Sequence, residues 1–214
     1  MRCNKIRIIG TISICLGLIS IISSAGFWAY NAREDARAAE NATRTANILF
    51  DIINSGEQKG VFIREGENGA RTEDDGSQNG ESAQTGVLIN GETFIAVLSV
   101  PSLGLELPVN KEWSYPKLKE SPCRYAGSIG DSLVIAAHNY KNHFGSIEKL
   151  KKGERAVLTD LSGYKYYYEL TEIKTLEAES IDEMVSDEFD LTLFTCTYGG
   201  YARVTARFME ILGD

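Results

Sequence analysis

Leu191-Thr192-Leu193-Phe194-Thr195-Cys196-Thr197-Tyr198-Gly199-Gly200-Tyr201-Ala202-Arg203-Val204 is the stretch on which the fold turns. Residues 191–195 and 202–211 carry Leu, Phe, Thr and Val, side chains that suit a pleated surface. Tyr198-Gly199-Gly200 separates the two runs with a turn signal. Cys196 closes the first strand, and Arg203 lies near the start of the second. A strand end suits a reactive group, because the backbone is fixed there while the tip stays open.

Outward from this pair, the pattern from residue 87 onward is that of a compact β-rich domain of 128 residues. Residues 93–100 (TFIAVLSV) predict a strand stopped by Pro101, and 105–109 a shorter one. Residues 133–137 (LVIAA) form a short apolar run of the kind buried on both faces. Residues 156–159 and 165–175 predict a hairpin around Leu161-Ser162-Gly163. Helical turns are expected over 115–119, 144–150 and 181–185. Many short strands with turn punctuation suggest a closed barrel or a sandwich.

Upstream, the composition changes twice. An apolar run of 23 residues spans 8–30, preceded by Arg2, Lys5 and Arg7 and closed by Phe27, Trp28 and Tyr30. As a helix it is roughly 35 Å long, enough for a hydrocarbon core of ~30 Å. Basic residues stay on the cytoplasmic side, and aromatic rings favour the interface. The segment 1–32 therefore predicts a cytoplasmic tip and a single-pass anchor, with the rest of the chain outside the cell. Ser23-Ser24-Ala25 would suit a signal peptidase, but the run exceeds a signal core of about 7–15 residues. Residues 33–53, Ala-rich and without Gly or Pro, predict a helical stalk. Residues 54–86 hold seven Gly among acidic and polar side chains and predict a flexible linker.

The net charge of −8 divides as +2 over 1–53, −4 over 54–86 and −6 over 87–214. Without a basic cluster, nucleic acid is excluded as the main partner. The four Cys, at 3, 15, 123 and 196, have no CxxC spacing, which disfavours zinc-finger, thioredoxin-like and disulfide-scaffold readings.

Only His138 and His143 are available for imidazole chemistry. His138 follows the 133–137 strand, while His143 sits in a polar Lys-Asn-His context and predicts a solvated loop residue. A thiol needs a nearby imidazole or cation to become a nucleophile. Acyl transfer from an amide also needs an oxyanion donor and an acid for the leaving amine. Cys196, His138 and Arg203 could together supply these roles. The bland alternative is an inert, buried Cys196. Arg207, four residues beyond Arg203, shares its strand face and is expected to be solvated. The acidic run 177–183 is expected to be a solvated loop. Cys123 is expected to be a free thiol.

Thr192-Leu193-Phe194-Thr195-Cys196 fits the TLxTC signature of the sortases, the cysteine transpeptidases of Gram-positive cell surfaces. Arg203 follows on the next strand, as in that family. Leu133-Val134-Ile135-Ala136-Ala137-His138-Asn139 resembles the family's strand-then-His word. Phe144-Gly145-Ser146-Ile147, Leu150-Lys151-Lys152-Gly153-Glu154 and Val100-Pro101-Ser102-Leu103 resemble three further family words, in the right order. The resemblance covers roughly 90–212. It departs from the family in Ala137, where Gly is frequent, and in the lack of Pro after Cys196. The stretch 175–191 is too short for the long helix of class B, and the resemblance leans towards a class D-like sortase.

The resemblance implies a mainly β fold, an eight-stranded sortase-type barrel with short helices, in a catalytic domain over 87–214 preceded by the transmembrane helix. It implies a catalytic Cys196, His138 and Arg203, with Thr195 and Ala137 as candidate substrate-binding or oxyanion positions. The implied partners are an LPxTG-like surface protein and an amine from a peptidoglycan precursor or a pilin, with the membrane held through residues 8–30. No cofactor or metal is required, though some members bind calcium. The rival reading is a non-catalytic, membrane-anchored extracellular β-domain for binding or assembly.

Overall fold

The computed structural model describes residues 2–55 and 86–212. Most of the expected linker lies outside the described residues. Two compact units are present, Met1–Arg37 and Ala38–Asp214.

One helix, α1, spans Arg2–Ser55. Its part from Ser13 holds a stretch long and apolar enough to cross a membrane. Ile14, Leu16, Ile19 and Ile22 are exposed there. Within the second unit the helix changes character. Ala38, Ala42, Ala46 and Leu49 recur at helical spacing and form one buried stripe. Small Ala side chains let the helix backbone come close to the strands. Ala46 and Leu49 pack with Val87, Phe94 and Val97.

Nine strands follow: β1 Val87–Ile89, β2 Glu92–Val100, β3 Leu105–Asn110, β4 Cys123–Ser128, β5 Asp131–Ala136, β6 Arg155–Asp160, β7 Lys165–Glu177, β8 Leu191–Cys196 and β9 Ala202–Ile211. They are ordered β1-β2-β3-β4-β5-β8-β9-β7-β6, and β6 pairs back onto β2. That last pairing, Ala96↔Asp160 to Ser99↔Val157, closes a ring of eight strands. Closure leaves the ring without free edges. β1 is a short addition to β2, with Val87 opposite Phe94. The short helices are α2 Tyr115–Leu118 and α3 Ile181–Met184, with a 3₁₀ turn at Ile147–Lys149 inside the expected 144–150 stretch.

β5 and β8 are parallel neighbours, with Ala136 opposite Phe194. Leu133, Val134, Ile135 and Ala136 are all buried, as an apolar run covered on both faces requires. Alternation sends Leu133, Ile135, Leu191, Leu193, Val204, Ala206 and Phe208 into the barrel core. It sends Val134, Ala136, Leu176 and Phe194 to the outer face, where Leu118, Cys123 and Met184 cover them. The candidate site continues this outer face.

Candidate active site

β5 and β8 end together on one rim of the barrel. The Ala137 N–H donates to Phe194 O at 3.1 Å. The Thr195 Oγ1–H donates to Ala137 O at 2.9 Å. These bonds extend the parallel pairing one residue past the last ladder pair. They bring the backbone of His138 to the level of Cys196. Strand alternation gives Cys196 the outward parity of Phe194 and His138 that of Ala136. Across the antiparallel neighbour, Cys196 is the direct register partner of Arg203. Residues far apart in sequence thus share one rim and one face. Cys196 is a free thiol of intermediate exposure.

The guanidinium of Arg203 folds back over the turn between β8 and β9. Its Nη1 donates to Gly200 O at 2.9 Å and to Ala202 O at 3.1 Å. A guanidinium carries five N–H donors in a rigid fork. Among the described residues, the N–H groups on Nε and Nη2 have no hydrogen-bond partner.

His138 is held from one side by its neighbour. The Asn139 backbone N–H donates to Nδ1 at 3.1 Å. A neutral ring accepting that bond carries its proton on Nε2. The Asn139 side-chain Oδ1 lies 3.2 Å from the same Nδ1. A protonated ring can donate to it instead. One residue therefore has a partner for both states of the imidazole. Tyr140 stacks on His138, with ring centroids 4.2 Å apart and planes 2° from parallel. The loop behind them closes tightly: Phe144 N–H donates to His138 O and Gly145 N–H to Tyr140 O. A Cβ on Gly145 would sit 2.5 Å from Asn139 O, so only glycine fits beside this backbone.

The side chains of Thr195 and Ala137 are buried. The Thr195 hydroxyl, committed to Ala137 O, ties the Cys196 strand to the His138 strand. An aromatic row runs along the outer face from Phe194, two residues before the thiol. Phe194 meets Tyr125 at 5.2 Å, Tyr125 meets Trp113 at 5.7 Å, and Trp113 meets Tyr115 at 5.1 Å, all edge to face. Sequence reasoning missed this row and the part played by Asn139 and Tyr140. The signal available was aromatic residues in polar surroundings, Trp113-Ser114-Tyr115 and Tyr125.

Two expectations are corrected. His143 is fully buried rather than solvated, folded under the loop with its ring tilted 5.6 Å from that of Tyr140. Arg207 is 4% exposed rather than solvated. It pairs with Glu172 at 2.7 Å, donates to Glu183 O at 2.9 Å and lies 5.0 Å above the Phe189 ring. The acidic side chains of 177–183 are exposed, as expected, and Glu183 among them pairs with Lys174. That pair, with Arg207 nearby, holds the Glu183 carboxyl below its ordinary range. Cys123 is a free thiol, buried and bonded to Ser121 O, and burial pushes it up to about 12.

A closed eight-stranded barrel with Cys, His and Arg words at one strand-end rim narrows the class, and comparison with known proteins supplies the family. Residues 98–209 match the family model described as the sortase domain. The chain belongs to the sortase family. None of the curated proteins matches it in sequence. Sortase C1 of Streptococcus agalactiae is 24% identical over 59% of this chain and 72% of its own, with a TM-score of 0.53. Sortase A of Listeria monocytogenes is 26% identical over 56% of this chain and 88% of its own, with a TM-score of 0.51. A Clostridium perfringens sortase D5 transpeptidase is 22% identical over 56% and 79%, with a TM-score of 0.49. The likeness to the Streptococcus agalactiae structure is one of fold; the family rests on the sortase-domain match over residues 98–209.

Proposed function

We propose that this chain is a membrane-anchored cysteine transpeptidase that cleaves an LPxTG-like sorting signal and joins the released acyl group to an amine. The observation that carries the reading is the register of the rim. Cys196 lies opposite Arg203 on β9, and the β5 end that bears His138 is tied to the β8 end that bears Cys196.

With Cys196 as the thiolate and His138 carrying its proton, the sulfur attacks the carbonyl carbon of the substrate Thr, and the carbonyl electron pair moves to oxygen. The free N–H groups of Arg203 hold that oxygen as negative charge develops. The C–N bond to the following Gly breaks, and His138 gives its proton to the leaving amine. The thioester that remains is attacked by an amino group from a peptidoglycan precursor or a pilin. His138 takes the proton of that amine, and the sulfur leaves. Water in place of the amine gives slow hydrolysis. In this reading the apolar part of α1 holds the enzyme in the cell membrane. Its N-terminus is cytoplasmic and the barrel lies outside, supported by Arg2, Lys5 and Arg7 before the apolar run.

The test uses the full chain in detergent with a panel of LPxTG-type peptides and a glycine-based amine. Wild type cleaves at least one peptide and forms the amine product, and Cys196→Ala and His138→Ala do not. Equal turnover by Cys196→Ala, or no turnover of any peptide alongside an unreactive Cys196, supports the non-catalytic reading instead.

A further inference from the structure

The turn between nucleophile and arginine is held in an unusual way. Tyr198 is 90% exposed and Tyr201 84% exposed, so packing does not fix the turn. Gly199 and Gly200 have φ of 86° and 76°, a region that glycine enters without strain. Such a turn needs hydrogen bonds to keep one shape, and Thr197 supplies them. Its N–H donates to Ala202 O at 2.9 Å, and its carbonyl accepts from Gly200 N–H at 2.9 Å. Its hydroxyl donates to Ala202 O at 3.2 Å and accepts from Ala202 N–H at 3.1 Å. The two carbonyls that orient Arg203 are those of Gly200 and Ala202. Thr197 therefore grips the same two residues that grip the guanidinium.

We infer that Thr197 is a positioning residue: its hydroxyl locks the β8–β9 turn so that Gly200 O and Ala202 O aim the Arg203 guanidinium at the reacting carbonyl. The role rests on the transpeptidase reading only in that Arg203 is the group that holds substrate. Val has the shape of Thr but neither donates nor accepts, whereas Ser keeps the hydroxyl. Thr197→Val leaves the backbone bonds in place and removes the side-chain clamp.

Two measurements on the full chain in detergent test this. The first is peptide cleavage by wild type, Thr197→Val, Thr197→Ser, Arg203→Ala and the Thr197→Val/Arg203→Ala double variant. Thr197→Val lowers kcat about ten-fold, the effect of losing one hydrogen bond. Thr197→Ser recovers most of it, and Thr197→Val costs nothing further once Arg203 is Ala. A loss of the same size in both backgrounds overturns the inference, since a merely structural residue behaves that way. The second is 15N relaxation of the Arg203 Nε–H group. It is restrained in wild type and Thr197→Ser and mobile in Thr197→Val. Equal restraint in all three overturns the inference. If no peptide is cleaved and Nε still loosens in Thr197→Val, the transpeptidase reading fails while the clamp stands.

Discussion

The two thiols of the barrel, Cys123 and Cys196, differ through their surroundings alone. Cys123 lies under the outer face with its sulfur bonded to Ser121 O, and burial pushes its pKa up to about 12. At pH 8 only about one Cys123 in ten thousand is thiolate, the species that reacts. Cys196 is partly exposed at the rim. A charged, water-soluble thiosulfonate therefore modifies Cys196 and spares Cys123 in the folded chain at pH 8, read by peptide mass mapping. Labelling of Cys123 at a comparable rate contradicts the burial argument. The placement of Cys196 at the end of β8, of Arg203 near the start of β9 and of His138 two residues past β5 was legible in the sequence, because each sits in a recognisable word. The burial of His143 was not. Lys141-Asn142-His143 reads as polar loop, and only the close approach of Gly145 to the Asn139 backbone turns that loop inward. Arg207 was misread for a related reason: its partners Glu172, Glu183 and Phe189 come from other elements, and local sequence says nothing about them.

At the scale of elements, the connection from β7 to β8 carries α3 and is tied down by charge. Lys174 on β7 and Arg207 on β9 both face Glu183. The folded-state pKa of Glu183 is lowered, chiefly by the Lys174 hydrogen bond. A lowered carboxyl pKa contributes stability that is fully present above the unfolded value of about 4.3 and is lost as pH falls through the folded value. Wild type is thus more resistant to denaturant than Glu183→Gln at pH 7. The difference narrows as the pH falls below the unfolded value and closes once the folded carboxyl is protonated, measured as the unfolding midpoint of each across an acid series. A gap that persists in acid would show that Glu183 acts other than as a carboxylate. Most strands were readable from alternation or apolar runs. β4 was not, because Cys123–Ser128 has neither an apolar run nor alternation and its pairing with β5 is interrupted by two register shifts. Its other seam, to β3, rests on one ladder pair, Asn110↔Cys123, helped by Arg124 Nε donating to Lys111 O at 3.1 Å. Neither feature leaves a periodic trace in sequence.

At the scale of the molecule, α1 does two jobs that its composition separates. Its apolar first part suits lipid, and its Ala-rich later part caps the barrel over β1 and β2. Helix propensity predicted the second part as helix. Its docking became visible only once Val87, Phe94 and Val97 were placed opposite Ala46 and Leu49. Leu49 is fully buried, so Leu49→Ala removes buried methyl groups and leaves a cavity costing about 2–5 kcal/mol. Denaturant unfolding of the full chain in detergent reads that loss, and an unchanged midpoint would mean the helix is not part of the folded unit. The central claim, that the Cys196 rim performs acyl transfer, is tested most directly by trapping the intermediate. The full chain is mixed with a cleavable LPxTG-type peptide without amine, quenched in acid and analysed by peptide mapping. The account predicts an acyl adduct of the N-terminal peptide fragment on the Cys196-containing peptide, discharged when a glycine amine is added. Cleaved peptide with no adduct on Cys196, and cleavage that survives Cys196→Ala, would contradict it.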